Sequence, residues 1–174
     1  MIELLVAVGI GALVLAVVAT LANFGARSFA TMVNYSDLDQ KSRQAIDIMI
    51  REIRQATRVT GMHTALPTKW LRLTNADLGH TVTFTWTSTN GVVVFEKTGQ
   101  PARNLLSDCD AWDFALYTRQ PYFINNSIKF NPATNLSDGK LIDMSWKCSR
   151  SLIGQKVNSE SVQTAQIVLR NKVN

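Results

Sequence analysis

From Leu4 to Ala26 the chain carries no charge, and the residue just before that run is an acid, Glu3. No other stretch restricts the fold as strongly. As a helix, this segment rises about 34 Å at roughly 1.5 Å per residue, enough to cross a hydrocarbon core of about 30 Å. A cleaved secretory signal is the rival, because Thr20-Leu21-Ala22 offers a small-x-small pattern. The apolar stretch exceeds the usual signal core of about 7–15 residues, however, and no basic segment precedes it. The sequence therefore predicts a retained span.

The segment that follows carries the helix on. Between Ala26 and Thr60 there is no Pro or Gly, and Leu38, Ile46, Met49, Ile50, Ile53 and Ala56 recur mostly at three- and four-residue steps. Asp47 with Arg51 is a favourable i,i+4 spacing and Arg54 with Arg58 an unfavourable one, as on a solvated face. One helix is expected from the start to about Val59, roughly 85 Å long, apolar over residues 1–26 and amphipathic over 27–59. Within the apolar half, Gly9, Gly11, Ala12, Ala16 and Ala19 allow close helix–helix approach, although small residues are also common in any spanning helix.

Past Val59 the period changes to two. Thr81-Val-Thr-Phe-Thr-Trp-Thr87 alternates Thr with Val82, Phe84 and Trp86, a strand with one buried face. Asn90-Gly91 suggests a two-residue hairpin turn into Val92–Glu96, which sets Trp86 opposite Phe95. Further strands are expected at Trp70–Leu73, Trp112–Tyr117, Leu141–Lys147 and Ala165–Arg170, with polar loops at 131–139 and 149–161. The fold class is α+β, a long amino-terminal helix packed on an antiparallel β head at 60–174. The whole chain of 174 residues allows only one such head.

The opening Ile2-Glu3-Leu4-Leu5-Val6-Ala7-Val8 resembles the start of type IV pilin-like proteins. Joined to Ser42-Arg-Gln-Ala-Ile-Asp-Ile-Met-Ile-Arg-Glu-Ile-Arg-Gln-Ala56, it looks like a minor pseudopilin of the J kind from type II secretion, or the similar W-type minor pilins. The likeness covers about the first 58 residues. It implies a single-pass inner-membrane protein with a periplasmic head, assembled with other pilin or pseudopilin subunits to initiate or cap a filament. It also implies that Glu3 meets the amino terminus of an adjacent subunit. In the family a prepilin peptidase removes a short basic leader ending in Gly and methylates the new terminus. Here Met1 stands two residues before the glutamate, so the expectation is a start called inside the gene or a trimmed chain.

Chemistry elsewhere is sparse. His63 and His80 lack any i,i+4 partner or HExxH context, which favours strand-edge or loop roles over metal binding. Asp108-Cys-Asp-Ala-Trp-Asp113 gathers three acids, and calcium is conceivable there because some pseudopilins bind it, but the spacing is not that of an EF-hand. No GxSxG or SxxK accompanies the serines, so no enzyme and no cofactor is expected. The formal charge of +5 is spread along the chain without a dense basic block, which argues against nucleic acid and leaves a DNA-binding uptake pilin as an alternative. A bitopic protein with a periplasmic β-domain and no filament is a third reading.

Cys109 and Cys148 fall at the same end of the strand pair Trp112–Tyr117 and Leu141–Lys147. An exported head favours a disulfide between them. Matching Trp112, Phe114 and Leu116 with Trp146, Met144 and Ile142 nevertheless sends the two cysteines to opposite faces unless the backbone near Asp108 is irregular. A disulfide and two separate thiols both stay open at this level.

Overall fold

The computed structural model describes residues 1–76, 78–124, 127–150 and 160–169. Its first element, α1, runs unbroken over Ile2–Gln55, 54 residues or about 81 Å. The helix stops short of the expected Val59 because Thr57 is captured by the sheet. Its N–H and its hydroxyl both donate to the Thr74 carbonyl, at 2.9 and 2.8 Å, and its Oγ1 accepts from the Ala76 N–H at 3.1 Å. With Ala56 already extended, the β-branched residues at 57, 59 and 60 leave the helix for a strand.

That strand is β1 (Arg58–His63), which sequence patterning did not reveal. It opens a meander with β2 (Thr68–Asn75), β3 (His80–Thr87), β4 (Val92–Lys97) and the short β5 (Arg103–Leu106), in spatial order β1-β2-β3-β4-β5. A second sheet has the order β7-β6-β8-β9, from β6 (Cys109–Ile124), β7 (Ser127–Pro132), β8 (Gly139–Ser149) and β9 (Glu160–Val168). Every pairing is antiparallel. The α+β arrangement of a long helix on antiparallel sheet is therefore the fold, and it is compatible with a pilin-like architecture.

Several expected boundaries move. The loop placed at 131–139 is shared among the end of β7, a 3₁₀ turn at Leu136–Asp138 and the start of β8. The loop placed at 149–161 has Ser149 inside β8 and Glu160 inside β9, and its residues 151–159 lie outside the described ones. The last strand begins at Glu160 rather than Ala165, and Arg170 also lies outside the described residues.

The β3–β4 hairpin corrects the expected register. Phe84, not Trp86, stands opposite Phe95, while Trp86 faces Val93 and Thr87 pairs with Val92. The loop thus has four residues, Ser88 to Gly91, closed by the Gly91 N–H on the Thr87 carbonyl at 2.9 Å. A slip of two residues keeps every side chain on its face, so the alternation of Thr with large apolar residues is satisfied by either register. Packing selects the observed one, in which the Phe84 and Phe95 rings lie 5.5 Å apart and the Trp86 indole N–H donates to the Cys109 carbonyl at 3.0 Å.

The inner faces of both sheets and the amphipathic half of α1 share one core. Leu38, Ala45, Met49, Ile53 and Ala56 meet Leu71, Leu73, Phe84, Phe95, Trp112, Ile142, Met144 and Trp146. Ile46 and Ile50, expected on the buried stripe, are only partly covered. Two polar residues take places on that stripe instead. Ser42 accepts the Trp146 indole N–H at 3.4 Å, and Glu52 pairs with Lys97.

Candidate functional site

The head covers only the second half of α1. From Ile2 to Ser28 every helical residue is exposed, including Leu4, Leu5, Leu13, Leu15, Leu21 and Phe24. Side chains of this kind do not stay in water when a lower-energy environment exists, so the segment is an interface in search of a solvent or a partner. It is long and apolar enough to cross a membrane. The apolar surface does not end at Arg27. Phe29 and Met32 are each 70% exposed, and Val33 and Tyr35 are exposed beside them. About two further turns of greasy helix therefore lie beyond Arg27, the charge that closes the uncharged run.

Glu3 sits in the first turn, where an acid suits the helix dipole. At about 100° per residue, Gly9, Ala12, Ala16 and Ala19 fall on one face of the helix, whereas Gly11 stands off that face and Glu3 lies nearly opposite it. A Cβ added at Gly9 or Gly11 would have no atom within 4 Å. The close approach these residues permit is thus unused within the chain.

Where α1 meets the head, a charged tether fixes it. Arg150, just past β8, donates to Asp37 of the helix at 2.7 Å and to Asp108 before β6 at 2.8 Å, and Lys41 also reaches Asp37 at 3.0 Å. Hydrogen bonds from Lys41 and Arg150 hold the Asp37 carboxyl below its ordinary value. Asp39 pairs with Arg43 at 2.7 Å and accepts from Gln163 of β9 at 3.3 Å. The helix pairs that form are thus Asp37–Lys41 and Asp39–Arg43, while Arg51 turns to Glu52 at 3.6 Å.

The three acids around Cys109 do not converge. Asp108 takes Arg150, Asp110 accepts from the Ser149 hydroxyl, and Asp113 pairs with Lys69 across the two sheets. Among the described residues no three His, Cys, Asp or Glu side chains gather in a way that holds a metal ion. His63 stacks on Trp70 with ring centres 6.3 Å apart, and His80 opens β3 opposite Asn75.

The cysteines are brought together. Trp112 stands opposite Trp146, Phe114 opposite Met144 and Leu116 opposite Ile142, the pairing the sequence suggested. A bulge between Cys109 and Ala111 then shifts the register by one, so Cys109 faces Cys148 directly. The extra residue is Asp110, and the backbone is irregular beside it as well, at Asp108, whose φ is 58°. Both sulfurs are present as thiols. The hydrogen bond shared with Cys148, reinforced by burial, holds the Cys109 thiol well above the ordinary thiol range.

Sequence reading missed the tether and the Glu52–Lys97 pair. A helical-wheel count of charges on the buried face would have flagged Glu52, but its partner lies 45 residues away and only the sheet register locates it. No family model matches the chain, and neither a curated protein nor a solved structure matches it.

Proposed function

We propose that this chain is a structural, non-enzymatic subunit of a membrane-anchored, pilin-like filament, a minor pseudopilin of the J kind or a W-type minor pilin. The observation that carries the proposal is the single helix, bare and apolar along Ile2–Ser28 and docked on the β head along its second half. A simple anchor needs no rigid continuation into the head. A subunit that must move from bilayer to filament core does need one, because the same apolar surface has to serve in both places.

Glu3 supplies the register. An ionised side chain within hydrocarbon costs about 2.5–3.5 kcal/mol on insertion scales, so it is offset only where a partner of opposite charge is fixed beside it. In the filament that partner is the amino terminus of the neighbouring subunit. Because Glu3 and the small-residue face point in nearly opposite directions, they serve two different neighbours, and the helix is flanked on both sides. Exposed Phe29, Met32 and Val33 extend the contact beyond the bilayer. The nucleic-acid alternative is weakened because Lys41, Arg43, Lys69, Lys97, Lys147 and Arg150 each face a carboxylate.

The test is Glu3→Leu in cells that make the other subunits. Membrane fractionation is expected to show unchanged insertion, while shearing and cross-linking show loss of the chain from filaments and from minor-subunit complexes. Normal incorporation of the variant would refute the proposal.

A further inference from the structure

We infer that Cys109 and Cys148 are a disulfide site, oxidised as the head folds, and that the bond staples the joint where both sheets meet α1. Two features of the backbone support it. The Ser149 N–H donates to the Asp108 carbonyl at 2.8 Å, whereas the Cys109 N–H is turned away to the Gly91 carbonyl at 2.7 Å. Cys109 and Cys148 therefore form a non-hydrogen-bonded antiparallel pair, the type in which facing Cα atoms approach to about 4.5 Å. That separation lies within the range of about 4.4–6.8 Å that a disulfide spans without moving the backbone.

The joint is also where the head is most tightly interlocked. Cys109 belongs to the second sheet, yet its N–H and carbonyl are both taken by the β3–β4 hairpin of the first, through Gly91 and the Trp86 indole. A Cβ at Gly91, whose φ is 59°, would lie 3.2 Å from the Cys109 oxygen, so the hairpin turn rests directly on this peptide. On the other side, Ser161 stands opposite Cys148 across β8 and β9, and its Oγ lies 3.5 Å from that of Ser42 on the helix. Arg150, two residues further, ties Asp37 to Asp108. A bond between the two sulfurs links the hairpin, the second sheet and the helix at one point.

The oxidant is the disulfide of a thiol–disulfide exchange partner. One cysteine thiolate attacks it, forming a mixed disulfide and expelling one acceptor thiolate. The other cysteine thiolate attacks the protein sulfur of that intermediate, forming the Cys109–Cys148 bond and expelling the second acceptor thiolate. The two cysteine protons end on the two acceptor thiols, and the two electrons lost by the protein reduce the acceptor. Both cysteines are only 1% exposed once folded, so exchange takes place before β8 and α1 close over them.

The full chain, reduced and unfolded in denaturant with detergent, is refolded in a mixture of oxidised and reduced glutathione. The expected product has a mass about 2 Da below the reduced chain, a Cys109–Cys148 crosslinked peptide, and no thiol that reacts with maleimide after denaturation. Two reactive thiols, or glutathione left on either cysteine, would overturn the inference. A stability measurement that does not depend on yield completes it. Reduction should lower the thermal midpoint of the refolded chain by about 5–15 °C and leave a C109S/C148S variant unmoved. Equal midpoints for the oxidised and reduced chain would show that the bond staples nothing. These readings depend on the geometry of the head alone, so they stand apart from the outcome of the Glu3 experiment.

Discussion

Lys97 Nζ lies 2.9 Å from Glu52 Oε2, joining the last turn of the docked helix to the end of β4. Glu52 keeps 7% and Lys97 16% of its side-chain exposure, so neither charge can be rehydrated without moving the helix. Lys97→Met leaves the buried carboxylate with only the exposed Arg51, at 3.6 Å, as a charged partner and should cost up to about 3 kcal/mol in chemical unfolding of the chain in detergent. The double variant Lys97→Met with Glu52→Gln should recover part of the loss, because it removes the stranded charge.

Ser42 fills a place on the same helix face that an apolar residue would otherwise take. Its hydroxyl accepts from the Trp146 indole and lies 3.5 Å from Ser161 Oγ. Ser42→Val has the size and shape of Ser42→Thr but leaves the Trp146 N–H unsatisfied inside the core, at an expected cost of about 1–3 kcal/mol. Ser42→Thr, which keeps the oxygen, should lose less. Comparing the two unfolding midpoints separates hydrogen bonding from volume.

Acid should loosen the tether between α1 and the head. Asp37 is held below its ordinary carboxyl value of 3.8 by Lys41 and Arg150, so the folded state binds its proton less readily than the unfolded chain. The stabilisation it gives is complete above that ordinary value. It fades as the pH falls below it through the depressed folded value. Stability measured from pH 6 downward should therefore decline less steeply in Asp37→Asn than in the parent at the acid end, with the variant lower at pH 6.

Gly139 begins β8 beneath Leu116. A Cβ there would come within 2.5 Å of the Leu116 Cγ, close enough that the whole isobutyl group must leave its site. Gly139→Ala should destabilise the chain by about 1–3 kcal/mol through overpacking. Adding Leu116→Ala should cost less than it does in the parent, since the two changes compete for one volume. Additive losses would show that the strand shifts instead.

The apolar run and the helical repeat of Leu38, Met49 and Ile53 were legible in the sequence because each is a local pattern with one solution. So was the face of β3, since strict alternation fixes which side chains turn inward. Its register was not, because slipping Phe84 from one partner to another preserves the alternation and only core packing decides. β1 stayed hidden behind Gly61, which reads as a break. In the sheet it makes room for the Trp70 ring, whose edge would lie 2.7 Å from an added Cβ. The meeting of Cys109 with Cys148 turned on one extra residue at Asp110, and a bulge leaves no mark in hydrophobic periodicity. Glu3 was readable as an acid ahead of an apolar run, and it does stand in the first turn of α1.

Gln55 is the last residue of a helix that has no proline and no interruption back to Ile2, and this continuity makes α1 a lever. If the fulcrum is where the helix leaves the bilayer near Arg27, about 40 Å of rigid rod separates it from the end of the docked half. A change of tilt of about 10° there displaces that end by about 7 Å, more than one helical turn. With no joint to absorb the motion, the angle of the apolar half dictates where the head stands.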